Sequence, residues 1–586
     1  MKSPFYKLII AGSLVTPWLA MQPVHAQNTP AAPLEVPPPL RTTTPQNSPK
    51  GATQPNTATP ATTVPSTTGA GAASGAGNAT TGIPGNDTSN IQAITDAFNE
   101  GVAALQGGNM VSAAEHFEKT IALAPNEATF QAMAHMWLGY VRLRQERLDE
   151  ALTALQTAEK LSGTMDARYQ AIIQNNIGMA YWNQKQYALA QPAYQRAVTI
   201  DPTYTDARYN LAFAYLAVNR ASDALPLFTA LAEQNPRDPM LQDGLGQAYE
   251  SMGDWVKAFA AYRKAIALNP RDSSYPLNMG LALMRSDPKG NIKGRRDLAI
   301  QYLREATKLN PQGAPAFLQL GLLLIDKKRW TEAQGALRSY VALKPNDTTG
   351  IFNLALSYDS SGTNFDEALK YYGQVELLEP NDAAVKNNIG RIYFKRKLYN
   401  DAIAQFRKAL EIDDNSTDAR TNLAIALAAK GDYTAANSEW RRLIALLTAQ
   451  LGRPVPPATP QSLQASILTA RAALAENLYT EKKYADSARE YRALLKQEPT
   501  NTDVMINLGL ALYYQGDLAG AMTQFNAVIK REPNNAFAHN NRGIVLESQN
   551  RRADALASYK KAVELKPDFM EAKTNRDRLL AATVIS

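Results

Sequence analysis

The chain has 586 residues, too many for one compact core, so its length requires several domains or a repeat array. It contains no cysteine, which excludes disulfides, thiolate catalysis, cysteine-ligated zinc and a lipidated N-terminal cysteine. Its formal charge of +7 is spread too thinly along the chain to form a nucleic-acid surface, and no nucleic acid is expected as a partner.

Residues 1–26 read as a secretory signal peptide. Lys2 and Lys7 precede an apolar run from Leu8 to about Met21, and Val24-His25-Ala26 gives a small-x-small cleavage pattern ahead of Gln27. The run is short and Pro17 interrupts it, which argues against an uncleaved membrane anchor. The expected location is therefore the periplasm or cell envelope, and not as a lipoprotein. Residues 27–90 are rich in Pro, Thr, Gly and Ala and almost lack large apolar side chains. Such a segment cannot bury enough surface to offset the entropy of ordering, so it reads as a disordered tether.

From about residue 94 a 34-residue period takes over. Gly509 is followed by Ala521 at +12, Phe525 at +16 and Pro533 at +24, and the same spacing returns at Gly178, Ala190, Tyr194 and Pro202. The small residue recurs at Gly101, Gly139, Gly178, Ala212, Gly246, Gly280, Gly321, Ala355, Gly390, Ala424, Ala475, Gly509 and Gly543, which makes thirteen units. Apolar residues at helical spacing flank a short break in each unit, giving two amphipathic helices. Small residues let the two helices approach, and the bulky position is expected to fill the gap against the neighbouring unit. Gly509→Leu should overpack that contact by about 1–3 kcal/mol. Ser487 stands where the other units have the second alanine.

These residues resemble the tetratricopeptide repeat family over about 94–567. The resemblance implies an all-α fold: a right-handed α-solenoid superhelix of about thirteen helix pairs, with first helices lining the concave face. Ten units are expected over 94–450 and three over 468–567. The Pro-rich insertion 451–467 reads as a boundary between these blocks, and 568–586 as a capping helix and tail. A further insertion at 285–297 carries Arg285, Lys289, Lys293, Arg295 and Arg296. It reads as a solvated loop, with docking of an acidic partner, lipid headgroups or polysaccharide as the alternative.

Chemistry is scarce. His116, His135 and His539 lie in different units without metal-ligand spacing, so no metal and no cofactor are expected. With the array filling the chain after the tether, the reading is of a protein that is not an enzyme. The resemblance implies that side chains five, six, nine and twelve places into each unit face the groove. The sixth place gives Asn176, Asn210, Asn278, Asn353, Asn388, Asn422, Asn507 and Asn541, an amide row able to bond an extended peptide backbone. The ninth gives Met179, Phe213, Leu281, Leu322, Leu356, Ile425, Leu510 and Ile544, and the twelfth Trp182, Leu216, Met284, Ile325 and Tyr513. A long exposed apolar stripe of this kind would need a partner to cover it. No unit has a lysine at the fifth place, so the carboxylate clamp of chaperone-binding members is not expected.

The function these features suggest is a protein–protein interaction scaffold of the cell envelope. It would hold an envelope protein or an extended peptide segment in its groove, in assembly of a secretion, pilus, outer-membrane or polysaccharide-export machine. The alternative is a structural spacer that self-associates into homo-oligomers or contacts cell wall or membrane surface through 27–90.

Overall fold

A computed structural model describes residues 87–452 and 459–584. The leader at 1–26, most of the 27–90 tether and residues 453–458 of the Pro-rich segment lie outside the described residues. Among the described residues there are 27 α-helices and no strand: thirteen helix pairs and then a single helix, Met570–Val584. The first helix, Asp87–Gln106, begins four residues inside the segment read as tether.

Local chemistry sets the helix ends. Within each pair the break contains a residue of positive φ, either a glycine such as Gly516 (94°) or a residue such as Asn219 (59°), and the longer sixth break contains two, Gly290 and Gly294. Glycine meets that requirement without the Cβ clash that other residues accept there. The next residue often caps the second helix: Asp517 accepts from the Gly520 amide at 2.8 Å and Asp254 from the Lys257 amide at 3.2 Å. Asp382, Asn501 and Asn535 do the same for first helices.

The small residues act as the spacing predicts, with one correction. A Cβ on Gly509 would lie 2.6 Å from Cε1 of Phe525, and one on Gly178 would lie 2.6 Å from the ring of Tyr194. The bulky side chain therefore closes first on the glycine of its own pair, not only on the neighbour. Contact with the neighbour occurs as well, as where Phe117 stacks on Trp137 of the following pair at 6.4 Å. Ser487 is fully buried and donates to the carbonyl of Ala475 at 2.8 Å.

The described residues fall into two compact units, 87–319 and 320–584, divided inside the helix Ala314–Asp326. In the first, a continuous apolar core runs from Phe98 to Ala248. In the second, Trp440, Leu443, Ile444 and Leu447 of the helix Tyr433–Leu451 pack with Leu463, Ile467, Ala470, Leu474 and Leu478 of the helix Pro460–Thr480. The blocks expected on either side of 451–467 therefore meet through these two helices. Pro460 starts a helix, where its missing N–H costs nothing.

Candidate functional site

The asparagine row is mostly buried and bonded to its own chain. Asn210 donates to Asn175 at 3.0 Å, Asn422 to Asn387 at 2.9 Å, and Asn278 to Asp243 at 3.0 Å. Each donor lies 35 residues beyond its acceptor, so the sixth place of one first helix is tied to the fifth place of the preceding one. The rung recurs at the end of the array, where Asn575 of the single helix donates to Asn540 at 3.1 Å. Asn176, Asn388, Asn507 and Asn541 are buried as well, and Asn353 spends its amide on the Thr349 carbonyl of its own helix. Three of the eight expected asparagines, Asn210, Asn278 and Asn422, thus serve as inter-pair clasps. The signal was present in the sequence as the dipeptides Asn175-Asn176, Asn387-Asn388 and Asn540-Asn541, each followed one unit later by a lone asparagine.

The apolar stripe also needs correction. Met179, Trp182, Phe213, Leu356, Leu510 and Ile544 are buried, while Leu216, Leu281, Met284, Leu322, Ile325, Ile425 and Tyr513 are half-buried. None stands open to solvent. The cover comes in part from the same pair: Phe213 packs on Tyr209 of its own helix at 4.9 Å and on Phe228 of its partner helix at 4.8 Å. The most exposed large apolar side chains are elsewhere, at Leu377 and Val256.

Two buried acids lie on first helices, Asp243 at a fifth place and Asp359 at a twelfth. Asp243 accepts from Asn278 and, at 2.7 Å, from Gln247; burial, with Asp272 and Glu250 nearby, raises its carboxyl to about 7. Asp359, in the other unit, receives Arg391 at 3.0 Å and Lys395 at 2.6 Å, and Arg391 also donates to Asn388 at 3.1 Å. The 285–297 insertion turns its arginines to internal partners. Arg285 pairs with Glu250, Arg295 donates to Ser286 Oγ at 3.1 Å, and Arg296 donates to the Pro288 carbonyl at 3.0 Å. Lys289 and Lys293 remain exposed.

One recess does gather predicted residues. In the second unit Leu510, Tyr513, Asn541 and Ile544 line a shallow concavity with Tyr514 and Phe525. Tyr513 is half-buried and shares a hydrogen bond with Ser548 Oγ at 3.1 Å. Sequence reasoning missed Tyr514, which precedes the break and falls outside the four groove places. A wall of tyrosine and aliphatic side chains can bury apolar area and still offer hydroxyls, the combination that favours binding of protein segments.

Comparison with known proteins agrees with the period. Models of the tetratricopeptide repeat match residues 130–203, 181–248, 239–272, 293–348, 473–528 and 506–568, and a TPR repeat model matches 390–431, together more than half of the chain. The BBSome complex member BBS4 of Bos taurus is 22% identical over 324 residues, 55% of this chain and 57% of that protein. Protein O-mannosyl-transferase TMTC3 of Homo sapiens is 22% identical over 348 residues, 56% of this chain and 36% of its own length. The chain thus spans between a third and three fifths of these relatives. Among solved structures, YrrB, a TPR protein with an unusual peptide-binding site, is 22% identical, covering 33% of this chain and 95% of its own at a TM-score of 0.30. The Cut9–Hcn1 hetero-tetramer structure is 14% identical, covering 83% and 96%, at a TM-score of 0.31.

Proposed function

The chain belongs to the tetratricopeptide repeat family, and from that premise we propose that it is a non-enzymatic scaffold of the cell envelope that holds a partner protein through its first helices. The repeats themselves imply protein–protein interaction, since stacked helix pairs present an extended surface and little else. The observation that carries the finer reading is the recess of Leu510, Tyr513, Tyr514, Asn541 and Ile544, where four residues of the expected groove meet. The bovine relative, named as a member of a complex, is in keeping with this role. Export rests on the leader at 1–26, and the sequence at 27–90 would give the array reach from its point of attachment.

A photo-crosslinking residue placed at Tyr513 in the full chain tests the recess against the exposed side chain of Val256. Discrete crosslinks to one protein from Tyr513, lost on Ile544→Asp, are expected. Equal labelling from both positions would overturn the reading. Export is checked by fusing residues 1–90 to a reporter that is active only outside the cytoplasm, and an inactive fusion would remove the envelope assignment.

A further inference from the structure

Beside that recess four tyrosines converge. Tyr484 stacks on Tyr514 with centroids 5.3 Å apart, and Tyr479 meets both edge-on at 5.4 and 5.8 Å. Tyr513 closes the group, edge-on to Tyr514 at 5.1 Å. All four are half-buried, so the cluster is open on one side. One turn before Tyr479 on the same helix stands Glu476, at the place that Leu510 and Ile544 occupy in the next two units. The same place holds Gln247 and Arg391 in two earlier units, so Glu476 is its one acidic residue.

Glu476 differs from the acidic residues around it. Glu490 receives Arg471 at 2.6 Å, Glu481 receives Lys483 at 3.1 Å, and Glu547 is held by Arg578 and Tyr559. The Glu476 carboxylate has no hydrogen bond or ion pair among the described residues, and burial alone pushes it above the usual carboxylate range. Beneath it Tyr491 is buried. A half-desolvated carboxylate left uncompensated is unfavourable unless something positive covers it. Tyrosine faces beside a carboxylate suit a cation on a long apolar stem, because the rings attract the charge and pack the methylenes.

We propose that Glu476 and the tyrosines 479, 484, 513 and 514 form a seat for a lysine or arginine side chain of a partner protein. The stem lies across the tyrosine rings and the charged head pairs with Glu476, anchoring a segment of the partner on the first helices of the second unit. This inference rests on the scaffold reading and supplies the chemistry of its partner.

The test pans a random peptide library against the full chain. The enriched peptides are then measured on the wild type and on Glu476→Gln, Glu476→Lys and Tyr484→Leu, with helix content and melting recorded for each. The expected peptides carry a basic residue at one fixed position, bind Glu476→Gln and Tyr484→Leu at least tenfold more weakly, and give way to acidic peptides when Glu476→Lys is panned. Enriched peptides without a basic residue, or with equal affinity for Glu476→Gln, overturn the seat and leave the scaffold standing. A library that yields no binder counts against both.

Discussion

Asp243, in the unit ending at residue 319, and Asp359, in the unit beginning at 320, are both buried on first helices, 6% and 1% exposed. Asp359 is met by a guanidinium and an ammonium. Asp243 is met only by amides, from Asn278 and Gln247, with the further acids Asp272 and Glu250 nearby. Arg285 answers Glu250, not Asp243. The same residue type at similar depth therefore belongs to two different devices. One is a compensated ion cluster; the other is a copy of the Asn175–Asn210 clasp with an acid substituted for the acceptor amide.

Breaking the ion cluster should have the largest effect. Asp359→Leu leaves Arg391, 2% exposed, without its carboxylate, and should cost about 3–5 kcal/mol in the second unit. Arg391→Leu added to it should restore most of that loss, because the pair replaced by apolar groups no longer carries a desolvated charge. Urea unfolding of the single and double variants measures both. A double variant no more stable than Asp359→Leu would show that Arg391 depends on other contacts.

Asp243 should respond in the opposite sense and with pH. Its folded carboxyl stands at about 7 against 3.8 in the unfolded chain, so between these values the folded form holds the additional proton. Stability from this group is highest below pH 4, falls as pH rises through 7, and is flat above, a loss of about 4 kcal/mol in all. Asp243→Asn recreates the neutral clasp. It should raise the unfolding midpoint at pH 8 and leave it unchanged at pH 4. A gain independent of pH would mean that the substitution acts through packing.

The converse substitution separates burial from missing charge. Asn387 accepts from Asn422 as Asp243 accepts from Asn278, but Arg391 lies one turn further along the same helix. Asn387→Asp should therefore cost about 1–2 kcal/mol at pH 8, less than the Asp243 penalty, since a nearby cation offsets part of the desolvation. A cost equal to that of Asp243 would show that burial alone sets the penalty and that the guanidinium is fully engaged by Asp359.

These contrasts also mark what the sequence made legible. Helix pairs, their number and their small-residue seams follow from the period, because Gly178, Gly509 and their partners are read by sterics within one unit. The groove was harder. Whether Met179 or Leu510 faces solvent depends on how closely the next first helix lies, and that distance is set by contacts 35 residues away, outside a single unit. The role of Asn210 and Asn422 is legible only across units, in their pairing with Asn175 and Asn387. Glu476 is legible only beside Leu510 and Ile544 at the same place of the next two units, where a carboxylate points to a charge in need of a partner.

Ser487 supplies the zero point of the comparison. It is a buried polar residue too, fully enclosed, but it is neutral, and its hydroxyl donates to a backbone carbonyl in the middle of a helix. Replacing it by the alanine found at this place in the other twelve units removes a donor without stranding an acceptor, since the Ala475 carbonyl keeps its place in the helix ladder. The net worth of such a bond is about 1 kcal/mol, and the alanine fits the same space. Ser487→Ala should shift the urea midpoint by less than any aspartate variant, with the same value at pH 4 and pH 8. A pH-dependent shift there would mean that the acids at 476 and 490 communicate with the core, and the penalties ascribed to Asp243 and Asp359 could no longer be separated by site.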